Sequence, residues 1–284
     1  MSLKNKKIAF WGTPDLTLEY LNSFERAGFL PIAIITNPDR PKGRGHELSS
    51  PAPKIWATER NIPVLQPEKL NDDFFEVLKN LDLDISIVVA YGKIIPERFI
   101  NLPKSGTLNV HYSILPHLRG ASPVESAILI GDTETGISIQ KMAFKLDSGP
   151  IIAEETMTID SNETAPALRA RLTARAQELL LITLPDYLDG KVTPKPQDET
   201  KATHCGKSKK EDGLIDPNGN AILNYNKFRA HFEWPRTYFF INEKRVIITK
   251  AKFENNQFVI EKVLPEGKKE IAYSDFLRNQ NLNK

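Results

Sequence analysis

Asp84-Ile85-Ser86-Ile87-Val88-Val89-Ala90 is an almost uninterrupted apolar run with a single serine inside it. A run this short, rich in β-branched residues, reads as a strand covered on both faces, the condition of a parallel sheet lying between helices. The surrounding chain fits that reading. Residues 7–11 form a first strand, Gly12-Thr13-Pro14-Asp15 turns into a helix ending near Ala27-Gly28, and residues 31–36 form a second strand. Pro14 suits a first helical turn. Helices are expected near 53–60, 72–80, 122–130 and 165–187, and strands at 63–65, 107–111, 136–142 and 151–159. In the last helix Leu168, Leu172, Leu179, Ile182 and Leu184 outline an apolar stripe. Strand and helix alternating through residues 1–190 predict an α/β domain with a mostly parallel sheet.

The turn after the first strand argues against a dinucleotide. A phosphate-cradling fingerprint wants three spaced glycines, whereas Phe10-Trp11-Gly12-Thr13-Pro14 offers one, and Pro14 lacks the amide a phosphate would use. No Gly-Lys-Ser/Thr phosphate loop occurs. Residues 37–53 read as an unusually long loop holding Arg40, Lys42, Arg44 and His46, with Gly43 and Gly45 on either side of Arg44. Long loops in compact domains are commonly functional. An arginine between glycines makes an arm that reaches a phosphate or a base edge. The alternative is a plain surface loop.

Residues 190–206, with Pro194 and Pro196, read as a linker between a catalytic domain at 1–189 and a second domain at 207–284. The second domain is β-rich. A short helix is expected at 224–232, strands at 237–241 and 246–253 around an Asn242-Glu243 turn, another at 257–263, and a weaker one at 273–277. The net charge of +2 is uneven: residues 1–200 carry −4, and residues 201–284 carry +6 from 16 basic and 10 acidic side chains. Contact with a polyanion is one reading of that tail, and a solvated basic surface is the other. Cys205 is the only cysteine, so no intrachain disulfide forms. No apolar run is long enough to span a membrane, and the start reads as a strand rather than a signal peptide, so a cytoplasmic location is expected.

Candidate chemistry lies in two places. In Thr107-Leu108-Asn109-Val110-His111 the asparagine and histidine are two apart and share one strand face. In Lys145-Leu146-Asp147-Ser148-Gly149-Pro150 an aspartate occupies a turn between two strands. Taken alone, Asp147 reads as a local turn cap. Taken with Asn109 and His111, it can orient a histidine while an amide adds a second donor toward a developing oxyanion. Ser113 has no base of its own, so acyl transfer between two bound substrates fits better than a serine hydrolase. The five histidines, at 46, 111, 117, 204 and 231, show no ligand spacing, and no metal site is expected.

Asn109-Val110-His111, Ser113-Ile114-Leu115-Pro116, Arg119-Gly120-Ala121 and Asp147-Ser148-Gly149-Pro150 resemble the signatures of formyltransferases that use 10-formyltetrahydrofolate. Residues 10–15, 38–45, 89–92 and 197–200, with Trp234-Pro235, resemble the branch of that family that formylates methionyl-initiator tRNA. The resemblance covers nearly the whole chain. It implies a Rossmann-like catalytic sheet followed by a small OB-like β-barrel, with 10-formyltetrahydrofolate as formyl donor and co-substrate, no metal and a monomer. It implies that Asn109 and His111 bind the formyl oxygen and that Asp147 holds His111 and helps move protons. Ser113, Ile114, Leu115 and Pro116 would contact folate. Arg40, Lys42, Arg44, Lys207, Lys209 and Lys210 would contact tRNA, with Arg44 matching the family's key loop arginine. The implied reaction is direct attack of the methionyl α-amine on the formyl carbon.

Three departures from the pattern stand out: His46-Glu47 in the basic loop, His117 after the Leu-Pro turn, and a short C-terminal domain whose barrel is expected to be abbreviated. The sequence alone leaves two other functions open. One is a formyltransferase for a sugar-nucleotide amine. The other is a folate- or tRNA-binding relative without turnover, against which the intact Asn109, His111 and Asp147 speak.

Overall fold

The computed structural model describes residues 3–42 and 47–281. In chain order the elements of the first half are β1 (Ile8–Gly12), α1 (Thr17–Arg26), β2 (Ala33–Ile35), β3 (Arg40–Lys42), β4 (Glu47–Ser49), α2 (Ala52–Thr58), β5 (Val64–Leu65), α3 (Asp72–Lys79), β6 (Ile85–Val89), α4 (Glu97–Ile100) and β7 (Thr107–His111). They are followed by β8 (Arg119–Gly120), α5 (Pro123–Ile130), β9 (Glu134–Lys141), β10 (Ile151–Thr158), α6 (Ala165–Leu188) and β11 (His204–Cys205). The last are α7 (Ala221–Ala230), β12 (Tyr238–Ile241), β13 (Lys244–Glu254), β14 (Gln257–Pro265), β15 (Ile271–Ala272) and α8 (Tyr273–Asn281). The chain forms two compact units, each discontinuous in sequence. One comprises Met1–Arg119, Gly136–Thr156 and Ala170–Thr203, and the other Gly120–Thr135, Met157–Arg169 and His204–Lys284.

A seven-stranded sheet runs in the order β10-β9-β7-β6-β1-β2-β5. Strands β5, β2, β1, β6 and β7 are parallel, and β9 runs antiparallel to β7. All five residues of β6 are buried, as a central parallel strand requires. Its single polar side chain has a partner, because Trp11 Nε1 donates to Ser86 Oγ at 3.3 Å. Trp11 in turn meets Tyr91 edge-on at 5.1 Å, and burial pushes the Tyr91 phenol up to about 12. Gly12 is required by close approach, since a Cβ there would lie 2.7 Å from Thr17 Cγ2 and 2.9 Å from the Val89 carbonyl. The chain leaves β1 toward β2 on one side and later returns to place β6 on the other. That reversal is a topological switch point, where ligands of open α/β sheets gather at the carboxyl ends of the strands.

Two expectations are corrected in this unit. Residues 37–53 are not a long loop: β3 and β4 pair antiparallel, with Arg40 opposite Ser49, Pro41 opposite Leu48 and Lys42 opposite Glu47. The proline and glycines that punctuate the sequence hide the alternation of a hairpin. Its base is held by Asp39, whose carboxylate accepts from Gln66 at 2.8 Å, Lys54 at 2.6 Å and Ser50 at 3.0 Å. Those bonds, Gln66 first, keep the Asp39 carboxyl below its usual range. Along α6 the buried stripe is Leu168, Leu172, Ala176, Leu180 and Leu184, whereas Leu179 is half-buried and Ile182 is 66% exposed. The true stripe steps by four residues and passes through an alanine, which a search for large apolar side chains skips.

In the other unit β12, β13, β14 and β15 form an antiparallel sheet in that order, packed against α7 and α8. A small four-stranded antiparallel sheet stands here where an OB-like barrel is expected. The core holds Tyr225 and Phe228 from α7, Phe239, Val246, Ile248 and Val263 from the strands, and Phe276 from α8. Residues 273–277, expected as a weak strand, begin α8. The buried Phe276 side chain seats this short amphipathic helix on the sheet.

His231 closes α7 and is 1% exposed, with neither ring nitrogen hydrogen-bonded. Burial is the main cause that lowers its pKa from the ordinary 6.5; Lys227 acts in the same direction, while Asp212 and Glu125 oppose it. The folded state therefore holds the ring neutral where the unfolded chain takes up a proton. Stability from this site is complete above the unfolded pKa of about 6.5 and is lost as pH falls below it toward the lower folded value. The expected result is a urea midpoint that drops between pH 7.5 and 5.5, and a shallower drop in His231→Leu. Equal pH slopes in the two proteins would contradict a buried neutral ring.

Candidate active site

The site is built at the carboxyl end of β7. Register places Asn109 opposite Gln140 and His111 opposite Ser138 on β9. Four polar side chains thus stand on one face where two central strands meet. The turn after β9 brings Asp147 over this face. Gln140 Nε2 donates to Asp147 Oδ1 at 2.9 Å, Asn109 Nδ2 lies 3.5 Å from the same oxygen, and Asp147 Oδ2 lies 3.7 Å from His111 Nδ1. His111 is buried, with its side chain 6% exposed, and Asp147 is half-buried, with its side chain 11% exposed. His111 Nε2 is 2.9 Å from the Leu118 carbonyl, and a carbonyl only accepts, so that nitrogen carries a proton. The ring lies between two acceptors, a carbonyl on one side and a carboxylate on the other. Asn109, like Asp147, is half-buried.

Asn109, His111 and Asp147 are therefore brought together, and Gln140 joins them although sequence reasoning missed it. The signal was present: Ser138 and Gln140 alternate with Ile137 and Ile139 in a strand with no exposed position between residues 135 and 140. Buried polar side chains demand partners.

The run from Ser113 to Pro116 lies directly beyond β7, with its polar groups turned inward. Ser113 Oγ donates to the His117 carbonyl at 2.5 Å, and Leu115 N donates to Ser138 Oγ at 3.0 Å. The Ser138 hydroxyl lies 2.8 Å from both the Ser113 carbonyl and Glu154 Oε1. The carbonyls of Ile114 and Pro116 accept from His117 N and Thr203 N. What the run presents outward is mainly the half-buried side chains of Ile114 and Pro116. His117, the departure from the family pattern, is 2.8 Å from Thr203 Oγ1 through its Nδ1.

The basic residues lie apart from this cluster in sequence. Arg40 is exposed on β3 and pairs with Glu68 at 2.7 Å. Lys42 belongs to the same strand, and Arg44 and His46 lie outside the described residues. Lys207, Lys209 and Lys210 are exposed, with Lys209 and Lys210 at the start of a short 3-10 turn. Part of the basic excess on the C-terminal sheet is locally neutralised, by Lys250–Glu261 at 2.9 Å, Lys252–Glu254 at 2.6 Å and Lys262–Glu270 at 3.4 Å. Among the described residues no helix is long and apolar enough to cross a membrane.

The structure thus sets an amide, an imidazole and a carboxylate together at one strand end of a mostly parallel α/β sheet. The formyl transferase family matches residues 6–184, and its C-terminal domain matches residues 207–258; the chain belongs to the formyltransferase family. Its curated relatives include the methionyl-tRNA formyltransferases of Sulfurihydrogenibium, 39% identical over 87% of this chain and 80% of that protein, and of Thermodesulfovibrio yellowstonii, 35% identical over 97% and 96%. Among solved structures the fold is similar to that of a methionyl-tRNA formyltransferase from Clostridium thermocellum, with a TM-score of 0.60 at 18% identity over 92% of this chain and 98% of that one. An N-formyltransferase from Helicobacter canadensis, solved with folinic acid and dTDP-3-aminofucose, gives a TM-score of 0.69 at 19% identity over 88% of each chain.

Proposed function

We infer that this chain transfers the formyl group of 10-formyltetrahydrofolate to the α-amine of methionyl-initiator tRNA. The observation that carries the chemistry is the cluster of Asn109 and His111 on one strand face around a single Asp147 carboxylate. Relatives named methionyl-tRNA formyltransferase align along nearly the whole chain and support the acceptor. On this reading residues 1–189 carry the chemistry, 190–206 link, and 207–284 contact RNA.

The donor set suits a formyl group. The Asn109 amide makes only a long 3.5 Å contact inside the site and can turn to a carbonyl-type oxygen. His111 is held in orientation by the Leu118 carbonyl and Asp147. Donors fixed in advance stabilise negative charge as it develops, which is worth several kcal/mol in a site shielded from water. Asp147 accepts the proton that leaves the attacking amine and passes it to the folate nitrogen as the bond from that nitrogen to the formyl carbon breaks, releasing tetrahydrofolate. Folate would lie against Ile114 and Pro116 through apolar contact, because the polar groups of that run serve its own turn. Arg40 and Lys42 of the β3–β4 hairpin, together with Arg44, Lys207, Lys209 and Lys210, supply cations for the RNA backbone.

The test offers formyl-tetrahydrofolate together with either methionyl-initiator tRNA or an amino-sugar nucleotide. Formylmethionyl-tRNA is the expected product; formylation of the sugar nucleotide alone would overturn the reading. Charge reversal at Lys209 and Lys210 is expected to weaken tRNA binding and to lower the slope of log affinity against log salt by about 1 for each phosphate no longer neutralised. A slope identical to that of the unaltered protein would remove these two lysines from the RNA contact.

A further inference from the structure

The turn that carries Asp147 is held from a segment about fifty residues further on. Gln197 Nε2 donates to the Asp147 carbonyl at 2.9 Å and to the Gly149 carbonyl at 2.7 Å. Its Oε1 accepts from Arg119 Nε at 3.0 Å and Nη2 at 2.7 Å. The Arg119 side chain is fully buried, and its guanidinium also meets Glu199 at 2.6 and 3.1 Å. Lys145, two residues before Asp147, reaches Glu199 at 2.6 Å. Hydrogen bonds from Arg119 and then Lys145 hold the Glu199 carboxyl down at about 2, so it stays ionised at neutral pH.

Asp147 needs such support. Its φ is +46°, a left-handed conformation that a side chain other than glycine adopts only when its surroundings impose it. Gln140 fixes the carboxylate end, and Gln197 fixes the backbone end.

We propose that Gln197 is a positioning residue for formyl transfer: anchored on the buried Arg119, it pins the backbone of the 147–149 turn and so sets where the Asp147 carboxylate meets His111 and Asn109. The proposal rests on the formyltransferase reading of the site. A carboxamide is needed because one side chain must donate toward two carbonyls and accept from a guanidinium at once. Glutamate keeps the bond to Arg119 but turns a lone pair toward each carbonyl, which repels the turn. Gln197, Arg119 and Glu199 lie in two of the stretches that carry the family resemblance, yet the oxyanion chemistry alone gives them no task.

The test is a double-mutant cycle of Gln197→Glu and Asp147→Ala in the full chain, with formyl-tetrahydrofolate and methionyl-initiator tRNA. Q197E is expected to lower kcat by about tenfold or more while KM for both substrates stays within about twofold. In the D147A background the same change is expected to alter kcat by less than about twofold, since no carboxylate remains to be placed. A readout without substrate accompanies it: the ring nitrogen NMR shifts of His111, assigned by their absence in His111→Ala. These are expected to move in Q197E and to stay put when Q197E is added to D147A. Equal fractional losses of kcat in both backgrounds, or unmoved His111 shifts in Q197E, overturn the proposal. Failure of the unaltered protein to formylate methionyl-tRNA overturns the functional reading alone, because the His111 shifts still report on Gln197. Should Q197E not fold, Gln197→Met, neutral and similar in length, enters the same cycle.

Discussion

Asp147→Ala is expected to lower kcat for formyl transfer about a hundredfold or more, with far smaller changes in KM for either substrate. A factor of one hundred corresponds to roughly 2.7 kcal/mol of transition-state stabilisation. The carboxylate is the common acceptor of the site: Gln140 donates to it at 2.9 Å, Asn109 approaches at 3.5 Å and His111 Nδ1 at 3.7 Å. Alanine removes that acceptor from beside a buried imidazole and leaves the Gln140 amide without its carboxylate. Both oxyanion donors then lose the group that aims them, and the proton of the attacking amine loses its acceptor. Because the three side chains act as a unit, His111→Ala is expected to cost a similar factor, and the double variant little more than either alone. Turnover measured at saturating substrates checks this. Near-normal kcat in both single variants would falsify the assignment of the cluster to catalysis.

How much of the site is legible in the sequence differs residue by residue. The β6 strand is legible because a doubly covered parallel strand leaves an apolar run, and Ser86 does not disguise it. Asn109 and His111 are legible as neighbours because strand periodicity is two. Asp147 is not placed by the sequence pattern alone: turn aspartates usually cap their own backbone, and only the family resemblance ties it to His111. Gln140 leaves a readable trace as a polar residue in a buried strand. Gln197 is marked only by the family resemblance of residues 197–200 and leaves no trace of its task, since its partners Arg119, Asp147 and Gly149 are far off in the chain and a glutamine in a Pro-rich segment reads as a linker. The β3–β4 hairpin and α8 are misread for a shared reason. Local composition, glycine and proline in one and aromatics in the other, competes with a tertiary arrangement that composition does not encode. Ile182 shows the same effect inside a helix, where size suggests core and the spacing of four places it outside.

Gly149→Ala is expected to lower both stability and turnover, and its cause is separable from any change of chemistry. A Cβ at Gly149 would sit 1.8 Å from the Lys141 carbonyl oxygen, 2.9 Å from its carbon and 3.1 Å from Ala143 N. These are backbone atoms at the end of β9, and no rotamer change relieves the clash. The turn must lift away, stretching the Gly149 N bond to Gln140 Oε1, now 3.1 Å, and the Gln197 bonds to the Asp147 and Gly149 carbonyls. Overpacking of this kind costs about 1–3 kcal/mol, which lowers Tm by several degrees in a chain of this size. The lifted turn also carries Asp147 off His111, so kcat is expected to fall at least about tenfold in the protein that remains folded. Gly190→Ala is the control: Gly190 has φ +73°, and a Cβ added there would meet no atom within 4 Å. Its penalty is the left-handed backbone alone, about 1 kcal/mol, with kcat unchanged. If G149A loses stability but keeps kcat, the turn shifts without moving the carboxylate, and Asp147 is held by Gln140 alone. If G149A loses both while G190A loses only stability, turnover depends on where the 145–150 turn sits, because the two variants differ in what the added methyl group displaces.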